Sequence, residues 1–527
     1  MALEFYKILQ SHAQSQPDHP ALIDGADTVT YSQLLDRVER FAGALDSLNL
    51  DADSKLGLLC LNQKEYLIAF LGALLKGLPV VPYNFMLTPE DQVYITQDAG
   101  VDLIVINPAF IKPETSRFFS IFKQRIVTTE FPGGLLPEDG TLLFDAFLKT
   151  GNPDAARQRH QRSEDIPDVI MYTSGTTARP KGVMLDESMF HANSTGVQEH
   201  LQFSAEDRAI MALPLFHSFG NMISLVFLRA GGTIILLPQF HPKTILATIA
   251  EQRATVLPLV PTIYSFLVQL AESGHYDTSS LKYCISGGAA LPHALLKKVE
   301  AVLGTTILEG YGLTEASPVV AVNTMVAGSV PGSVGPPLPN ITVKIVDDRG
   351  NPVTEGTVGE IWVRAETVMR GYWKLAQETR DTITADGWLK TGDLGHMDTE
   401  GRLYISAGRK KDLIIRAGEN VSPLAIENAL INHPAILEAA AIGVPHDRWG
   451  EQVVACVSLK QAGTLEENQL KEYCRGKLPA FMLPDHFRFY ESLPKNPVGK
   501  ILKNQLREEF NPASGKSTIA AHPPKTA

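Results

Sequence analysis

The stretch DVIMYTSGTTARPKGVML, residues 168–185, changes character halfway along its length. Its apolar first part predicts a buried β-strand, and a loop of Ser, Gly and Thr follows directly. Backbone N–H groups in such loops point inward and form a concave site for oxyanions. Ser174, Thr176 and Thr177 add hydroxyl donors, and Lys181 adds a positive charge. The stretch therefore predicts a polyphosphate-binding loop, although a polar surface turn could have the same composition.

Length and composition narrow the class of protein. A chain of 527 residues exceeds what one hydrophobic core usually holds, so two or more domains are expected. The net charge of -11 argues against a nucleic acid as partner, because a phosphate backbone needs a basic face. Four cysteines without metal-ligand spacing predict free thiols in a reducing compartment. No signal peptide or spanning segment is visible, so a cytoplasmic location is expected, with peripheral membrane contact left open.

Changes in the pattern of apolar and turn residues along the chain predict its domains. Up to about residue 325, helical periodicity alternates with short apolar strands, which favours mostly parallel sheets covered by helices. Residues 326–408 contain short strands separated by Gly and Asp turns, typical of a small antiparallel, barrel-like module. The predicted fold is therefore α/β, with a large N-terminal domain over residues 1–408. A smaller α+β domain over 409–510 and a disordered tail over 511–527 follow.

Two helix starts are predicted in the C-terminal part. Ser422 and Pro423 suit the N-cap and the first position of a helix. Thr464 and Glu467 have the spacing of a capping box before a further helix.

A second cluster, LEGYGLTEASP at residues 308–318, has the composition of a nucleotide site. Tyr311 lies between two glycines, and its ring could stack on a flat base. Glu315 is a candidate ligand for magnesium, which prefers oxygen. The competing interpretation is a glycine-rich turn with an ordinary surface glutamate.

Two further clusters follow towards the C-terminus. Asp393 and Arg409 lie across one predicted hairpin, where a carboxylate can accept ribose hydroxyls and a guanidinium can donate to sugar or phosphate. A strand-end salt bridge would explain the same pair. Lys500 follows Gly499 in LPKNPVGKIL, and taken alone it would be an ordinary solvated lysine.

Together and in this order, the four clusters resemble the adenylate-forming superfamily of acyl-CoA synthetases, peptide-synthetase adenylation domains and beetle luciferases. The resemblance covers about residues 10–507. LPLFHSFG at 213–220, LVPTIY at 259–264, SGGAAL at 286–291 and VGPPLPN at 334–340 are most similar to fatty acyl-CoA ligases. The resemblance implies a mobile C-terminal domain and a two-step reaction. A carboxylate first attacks the α-phosphate of ATP, and a thiol then displaces AMP.

The resemblance also implies roles for single residues. Lys500, Lys181 and Glu315 are expected to be catalytic, and Lys411 to be the hinge between the two steps. Glu315 and Thr173 are expected to bind Mg²⁺. His217, Gly288 and Gly312 are expected to contact the acid, although His217 could equally be a satisfied core histidine. The residues expected to bind ATP are Thr173, Ser174, Gly175, Thr176, Thr177, Lys181, Gly288, Glu309, Gly310, Tyr311, Thr314, Asp393, Arg409 and Lys500.

Two positions depart from the family pattern. Ala178 stands in the phosphate loop where the family usually has glycine, and a positive φ there would cost alanine ~1 kcal/mol. Val498 replaces the usual Thr or Ser before the catalytic lysine. Neither change removes a charged or ligating group, so activity is still expected.

The acid and the thiol are less specified than the chemistry. Gly196, Gly220, Gly288 and Gly310 are expected to leave room for an acyl chain, with Met222, Leu225 and Val226 as apolar lining. A medium- or long-chain fatty acid is therefore predicted, with a benzoate-like or cinnamate-like acid as alternative. Coenzyme A is the predicted acceptor, and an acyl carrier protein is the alternative. A member that binds without turnover and a luciferase-like oxidation are the remaining alternatives.

Overall fold

The structure is a computed structural model. It describes residues 3–111, 116–119, 121–122, 124–128, 141–156, 158–173, 179–409, 412–416, 419–446, 449–461, 463–495 and 501–510. At residues 116–117, 127, 407–409 and 419–420 it describes the backbone alone. The predicted disordered tail, residues 511–527, lies outside the described residues.

The α-helices follow the predicted alternation with strands. They are α1 (Glu4–Ser15), α2 (Tyr31–Ala44), α3 (Lys64–Lys76), α4 (Pro89–Ala99), α5 (Ser116–Phe119), α6 (Phe144–Thr150), α7 (Glu187–Leu201), α8 (Ser218–Ala230), α9 (Pro242–Gln252), α10 (Pro261–Glu272), α11 (His293–Leu303), α12 (Ala376–Thr382), α13 (Pro423–Ile431), α14 (Glu467–Arg475) and α15 (Lys503–Glu508).

The strands are, in chain order, β1 (Pro20–Asp24), β2 (Asp27–Thr30), β3 (Leu56–Leu59), β4 (Val80–Pro82), β5 (Leu103–Ile106), β6 (Gln124–Val127), β7 (Thr141–Leu143), β8 (Val169–Thr173), β9 (Lys181–Leu185), β10 (Arg208–Met211), β11 (Thr233–Leu236), β12 (Val256–Leu259), β13 (Tyr283–Ser286), β14 (Thr306–Gly312), β15 (Val319–Val322), β16 (Ser333–Gly335), β17 (Thr342–Val346), β18 (Gly359–Arg364), β19 (Gly371–Tyr372), β20 (Leu389–Met397), β21 (Leu403–Arg409), β22 (Ile414–Arg416), β23 (Glu419–Val421), β24 (Ile436–His446), β25 (Gly450–Leu459) and β26 (His486–Tyr490).

Two eight-stranded sheets make up most of the first 372 residues. One has the order β15-β14-β13-β12-β10-β11-β1-β2, and the other has the order β19-β9-β8-β4-β3-β5-β6-β7. Their central strands pair in parallel, as their continuously apolar sequences predict. Among the described strands of these two sheets, the antiparallel pairs lie only towards the edges: β1 with β2, β14 with β15, β8 with β9 and β9 with β19.

One hydrophobic core joins the two large sheets. It contains Leu56 and Leu58 of one sheet, Ala209 and Ile234 of the other, and helix α3 between them. Every residue of α3 from Glu65 to Lys76 is buried. The apolar stretch of α3 is therefore a core helix. No helix in the described part of the chain is long and apolar enough to cross a membrane.

The region from 326 to 408 forms a small sheet of its own. Five strands pair antiparallel in the order β16-β21-β20-β18-β17. Alternating burial along β18 and β20 puts one face of this sheet on the core, as a half-buried antiparallel strand requires. The predicted change to short antiparallel strands is thus observed.

The part of the chain after residue 414 packs around its own sheet. Strands β22 to β26 form one five-stranded sheet, in which β25 pairs with β22, β24 and β26. Two apolar clusters in this part of the chain contain only residues 414–510. This arrangement supports our proposal of a separate domain beginning near residue 409. Ser422 caps α13 as predicted, since its Oγ accepts from the backbone N–H of Ala425 at 3.2 Å.

The predicted capping box at Thr464 is wrong. Helix α14 begins at Glu467 with Glu466 as its N-cap, and the side chain of Gln469 accepts from the Glu466 N–H at 2.8 Å. The hydroxyl of Thr464 donates instead to the backbone oxygen of Gln461. A Glu–Gln pair two residues further along satisfies the same backbone groups, which displaced the expected pattern.

Candidate active site

The predicted adenine-binding residues lie at the carboxyl ends of two neighbouring parallel strands. Ser286 of β13 is in register with Glu309 of β14, so Gly288 and Tyr311 follow at the same edge of the sheet. Gly288 has φ +79°, a backbone conformation that strongly favours glycine. Crevices outside such strand ends are where ligands bind in open α/β sheets.

A hydrogen bond joins this edge to the small antiparallel sheet. The hydroxyl of Tyr311 donates to Oδ2 of Asp393 at 2.5 Å. Asp393 is buried in β20, and the backbone of Arg409 lies directly opposite in β21. The predicted base-binding and ribose-binding residues are therefore adjacent, while the side chain of Arg409 lies outside the described residues.

The predicted phosphate loop connects two antiparallel strands. Thr173 at the end of β8 is opposite Lys181 at the start of β9. The ammonium of Lys181 forms an ion pair with Glu378 of α12 and lies 5.5 Å from the ring centroid of Tyr372. Ser174, Gly175, Thr176, Thr177 and Ala178 lie outside the described residues, so their part in phosphate binding stays a prediction.

The predicted magnesium ligand is tied to the same place. The Tyr372 hydroxyl donates to Oε1 of Glu315 at 2.9 Å, which connects Glu315 with Lys181 through one side chain. Among the described residues no group of three His, Cys, Asp or Glu side chains could hold a metal ion. A lone carboxylate nevertheless fits Mg²⁺ that arrives on ATP, because this ion keeps waters and phosphate oxygens as its other ligands. Glu315 and Thr173 would hold such an ion, which would neutralise phosphate charge.

The segment around His217 meets the cluster around Thr314. The hydroxyls of Ser218 and Thr314 are 3.1 Å apart, and both side chains are buried. His217 is the N-cap of α8, where its Nδ1 accepts from the Phe219 N–H at 3.3 Å. The ring of Phe219 lies against Gly287 of the glycine loop. The positive end of the α8 dipole is thus placed beside the predicted α-phosphate contact.

Glu309 is a buried carboxylic acid behind the nucleotide edge. Its Oε1 accepts from the Leu291 N–H at 2.9 Å, which ties the glycine loop to β14. Its Oε2 is buried and has no hydrogen-bond partner among the described residues. Burial raises the pKa of Glu309 to about 7. The side chain therefore supports the loop from behind, and its predicted contact with ATP stays a prediction.

Several glycines expected to leave room for an acyl chain are needed for close packing instead. A methyl group at Gly196 would overlap Oδ1 of Asn340, and one at Gly220 would lie 2.5 Å from the Pro214 oxygen. A methyl at Gly312, predicted to contact the acid, would overlap the oxygen of Pro318. Near Gly310 the closest atoms belong to Val322, at 3.2 Å. Only Gly288 of the expected set has ordinary contact distances, with Val260 at 3.5 Å.

The expected apolar lining residues are also core residues. Met222, Leu225 and Val226 have no solvent exposure and belong to the main core cluster. Their apolar side chains alone could not distinguish a pocket wall from a helix face packed on the core.

The structure adds three residues that the sequence patterns did not single out. Tyr372 and Glu378 approach Lys181 from a segment almost two hundred residues later, and Ser218 contacts Thr314. Ser218 lies within LPLFHSFG, whereas Tyr372 and Glu378 belong to no short motif with a known spacing. Only the register of β9 with β19, which places Val183 opposite Tyr372, brings the first two to the site.

Lys500, Lys411 and Val498 lie outside the described residues. The expected role of Lys500 in adenylation and that of Lys411 as a hinge therefore stay predictions.

Known proteins resemble this chain along nearly its whole length. Residues 9–373 match the AMP-binding enzyme family, and residues 425–500 match the AMP-binding enzyme C-terminal domain. The long-chain-fatty-acid–CoA ligase of Bacillus subtilis (strain 168) is 35% identical over 95% of this chain and 94% of its own.

Two solved structures share the whole fold. ATP-bound MatB from Rhodopseudomonas palustris is 32% identical, with a TM-score of 0.84 over 98% of this chain and 100% of its own. The anthranilate CoA ligase AuaEII in complex with anthranoyl-AMP is 26% identical, with a TM-score of 0.87 over 98% and 100%.

These comparisons confirm the fold class and the ligase class predicted from the sequence, and they support ATP and coenzyme A as its substrates. Both domain models match this chain, and the relatives match it over nearly its whole length. The protein therefore belongs to the AMP-binding enzyme family, in its acyl-CoA ligase branch.

Proposed function

We propose that the protein is a fatty acid–CoA ligase, which activates a medium- or long-chain fatty acid with ATP and transfers it to coenzyme A. The observation that carries this proposal is a set of contacts among Lys181, Glu315, Asp393 and two tyrosines. Tyr372 contacts both Lys181 and Glu315, and Tyr311, four residues before Glu315, donates to Asp393. Such an arrangement suits a nucleotide triphosphate, because it offers a cation for phosphate, a carboxylate for magnesium and an acceptor for ribose.

The first step forms an acyl-adenylate. A carboxylate oxygen of the acid attacks the α-phosphorus of ATP, the bond to the β-phosphate oxygen breaks, and pyrophosphate leaves. The protein supplies no nucleophile, so its contribution is positioning and charge stabilisation. In this proposal Lys181 binds the β- and γ-phosphates, Thr314 contacts the α-phosphate, and Lys500 stabilises the charge of the transferring group.

The second step forms the thioester. The sulfur of coenzyme A attacks the acyl carbon, the bond between that carbon and the phosphate oxygen breaks, and AMP leaves. Lys500 is needed only in the first step, so the C-terminal domain is proposed to rotate about Lys411 before the thiol enters.

Support for the fatty acid comes from the relatives of this chain. The Bacillus subtilis relative, which is 35% identical to this chain, is named for long-chain fatty acids. The anthranilate CoA ligase, which is named for an aryl acid, is only 26% identical. An acyl carrier protein as acceptor and an aryl acid as substrate are the alternatives. The four buried free cysteines support the proposed cytoplasmic setting.

The test is carboxylate-dependent exchange between ATP and pyrophosphate, measured across fatty acids of increasing length and with benzoate and cinnamate. Coenzyme A is then added and AMP release is followed. Exchange with fatty acids and AMP release with coenzyme A would support the proposal. Exchange without AMP release would indicate a carrier-protein acceptor, and exchange with aryl acids alone would contradict the fatty acid.

A further inference from the structure

A short segment, residues 367–374, lies between the predicted magnesium carboxylate and the strand that carries the phosphate-loop lysine. On one side it contacts the turn containing Glu315. The Met369 N–H donates to the backbone oxygen of Glu315 at 2.9 Å, and Ser317 Oγ donates to the oxygen of Thr367 at 2.7 Å. These two bonds hold the segment against the turn, and neither of them involves the side chain of Glu315.

On its other side the same segment pairs with β9. Gly371 and Tyr372 of β19 lie opposite Met184 and Val183 in antiparallel register. The Trp373 N–H donates to the oxygen of Gly182 at 2.8 Å, so the pairing continues next to Lys181. The segment therefore holds two parts of the nucleotide site at a fixed separation.

Tyr372 is the residue of this segment that contacts both charged groups. Its hydroxyl donates to Glu315 Oε1 at 2.9 Å, and its ring centroid lies 5.5 Å from the Lys181 ammonium. Its own N–H donates to Thr379 Oγ1 at 2.9 Å, which anchors it to α12. Because both the backbone and the ring of Tyr372 have contacts of their own, its hydroxyl stays in place if the carboxylate of Glu315 rotates away.

We propose that Tyr372 is a positioning residue for the carboxylate of Glu315 toward the magnesium ion of Mg·ATP. This inference rests on the proposed function and deepens it, since it assigns a determinant of metal use to a residue outside the four nucleotide motifs. With Oε1 held by the tyrosine, Oε2 of Glu315 remains to face the metal. A glutamate without this bond would lose rotamer freedom on binding the metal, which weakens the interaction.

The deciding variant is Tyr372→Phe, which removes the hydroxyl and keeps the ring beside Lys181. Binding of ATP is measured by titration calorimetry in Mg²⁺ and again in EDTA. The proposal expects roughly tenfold weaker binding with Mg²⁺, the size of a lost hydrogen bond to a charged group, and unchanged binding in EDTA. Formation of thioester from a supplied acyl-adenylate and coenzyme A, which uses no pyrophosphate site, should stay at the wild-type rate.

The matched control is Tyr404→Phe. Tyr404 also donates to a carboxylate, Oδ2 of Asp398 at 3.1 Å, in the small antiparallel sheet. This control should leave both ATP titrations unchanged. A thermal melt of each variant identifies a loss that comes from unfolding.

Three results would overturn the proposal. One is binding that weakens equally in Mg²⁺ and in EDTA, a second is binding that does not change in either, and a third is equal loss of both half-reactions. Failure of the proposed function has a different signature. A wild-type protein that binds Mg·ATP but activates no acid would contradict the ligase activity, while the two titrations of Tyr372→Phe would still decide the role of the tyrosine.

Discussion

Tyr311 Oη and Asp393 Oδ2 are 2.5 Å apart, although 82 residues separate them in the chain. Tyr311 ends a strand of a large sheet, and Asp393 lies in the small antiparallel sheet. The hydrogen bond to a carboxylate is of the stronger, charge-assisted kind. It fixes the predicted base-binding ring relative to the predicted ribose-binding acid, so the two sheets hold these parts of the proposed nucleotide site together.

The first prediction concerns this bond. Asp393→Asn should weaken ATP binding by roughly tenfold or more, because it removes the charge from both the ribose contact and the tyrosine bond. Tyr311→Phe keeps the ring and should cost less, about fivefold. Calorimetric titration with ATP measures both. Tyr490→Phe, which removes a similar 2.8 Å bond to Glu509, is the control and should bind ATP normally. Unchanged ATP affinity in Asp393→Asn would contradict the nucleotide role of this pair.

The second prediction separates the two half-reactions. Lys500→Ala should reduce acyl-adenylate formation by roughly a hundredfold or more, since one well-aimed donor stabilises such a transition state by a few kcal/mol. Thioester formation from a supplied acyl-adenylate should remain. The control is Lys503→Ala, which removes a lysine three residues away whose ammonium pairs with Glu427 at 2.6 Å. Equal loss of both half-reactions would rule out the rotation proposed about Lys411.

The third prediction concerns the ion pair between Lys181 and Glu378. Phosphate and Glu378 are expected to compete for the same ammonium, so Glu378→Gln should tighten ATP binding about two- to fivefold, as expected for a partly exposed pair. The gain should shrink as salt is added, because screening weakens the pair in the wild type. Glu272→Gln, which breaks the exposed pair with Lys298, should leave ATP binding unchanged. Weaker binding in Glu378→Gln would mean that the glutamate orients the lysine for ATP.

The fourth prediction is a pH dependence of stability. Burial raises the pKa of Glu309 from 4.5 to about 7, so the folded protein resists its ionisation. Its stabilising contribution is complete below about pH 4.5 and is lost as the pH rises through about 7, a change of about 3 kcal/mol. The free energy of unfolding of Glu309→Gln minus that of the wild type should therefore rise as the pH increases from 4.5 to 7. Above pH 7 this difference should stay constant.

Denaturant unfolding at a series of pH values measures this difference. The exposed Glu366→Gln is the control, and its curve should run parallel to that of the wild type. A difference between Glu309→Gln and the wild type that does not vary between pH 4.5 and 7 would show that folding does not raise the pKa of Glu309.

The fifth prediction tests the packing role of Gly196. Gly196→Ala should destabilise the protein by about 1–3 kcal/mol through overlap with Asn340, whose side chain donates to the Ala192 oxygen at 2.7 Å. The preferred chain length of the acid should not change. Asn340→Ala in the same background should recover part of the loss, which a double-mutant cycle of unfolding free energies measures. A shift to shorter acids in Gly196→Ala would restore its expected place in the acyl pocket.

The sequence by itself determined the class of this protein. Continuous apolar runs such as those of β3, β5 and β13 can only be buried on both faces, which requires parallel sheets between helices. The motifs around Lys181, Tyr311, Asp393 and Lys500 identified the family because each is local, and its backbone and side-chain chemistry is encoded within a few residues.

Tertiary structure decided which of these local groups are in contact and which other side chains connect them. Tyr372 reaches Glu315 and Lys181 only because β19 pairs with β9, a register set by residues distant in sequence. The same limit applies to Gly196 and Met222, which were expected to border the acyl chain and which pack closely against their neighbours in the structure. The sequence shows that a residue is small or apolar, whereas only its packed neighbours decide whether it borders a pocket or fills the core.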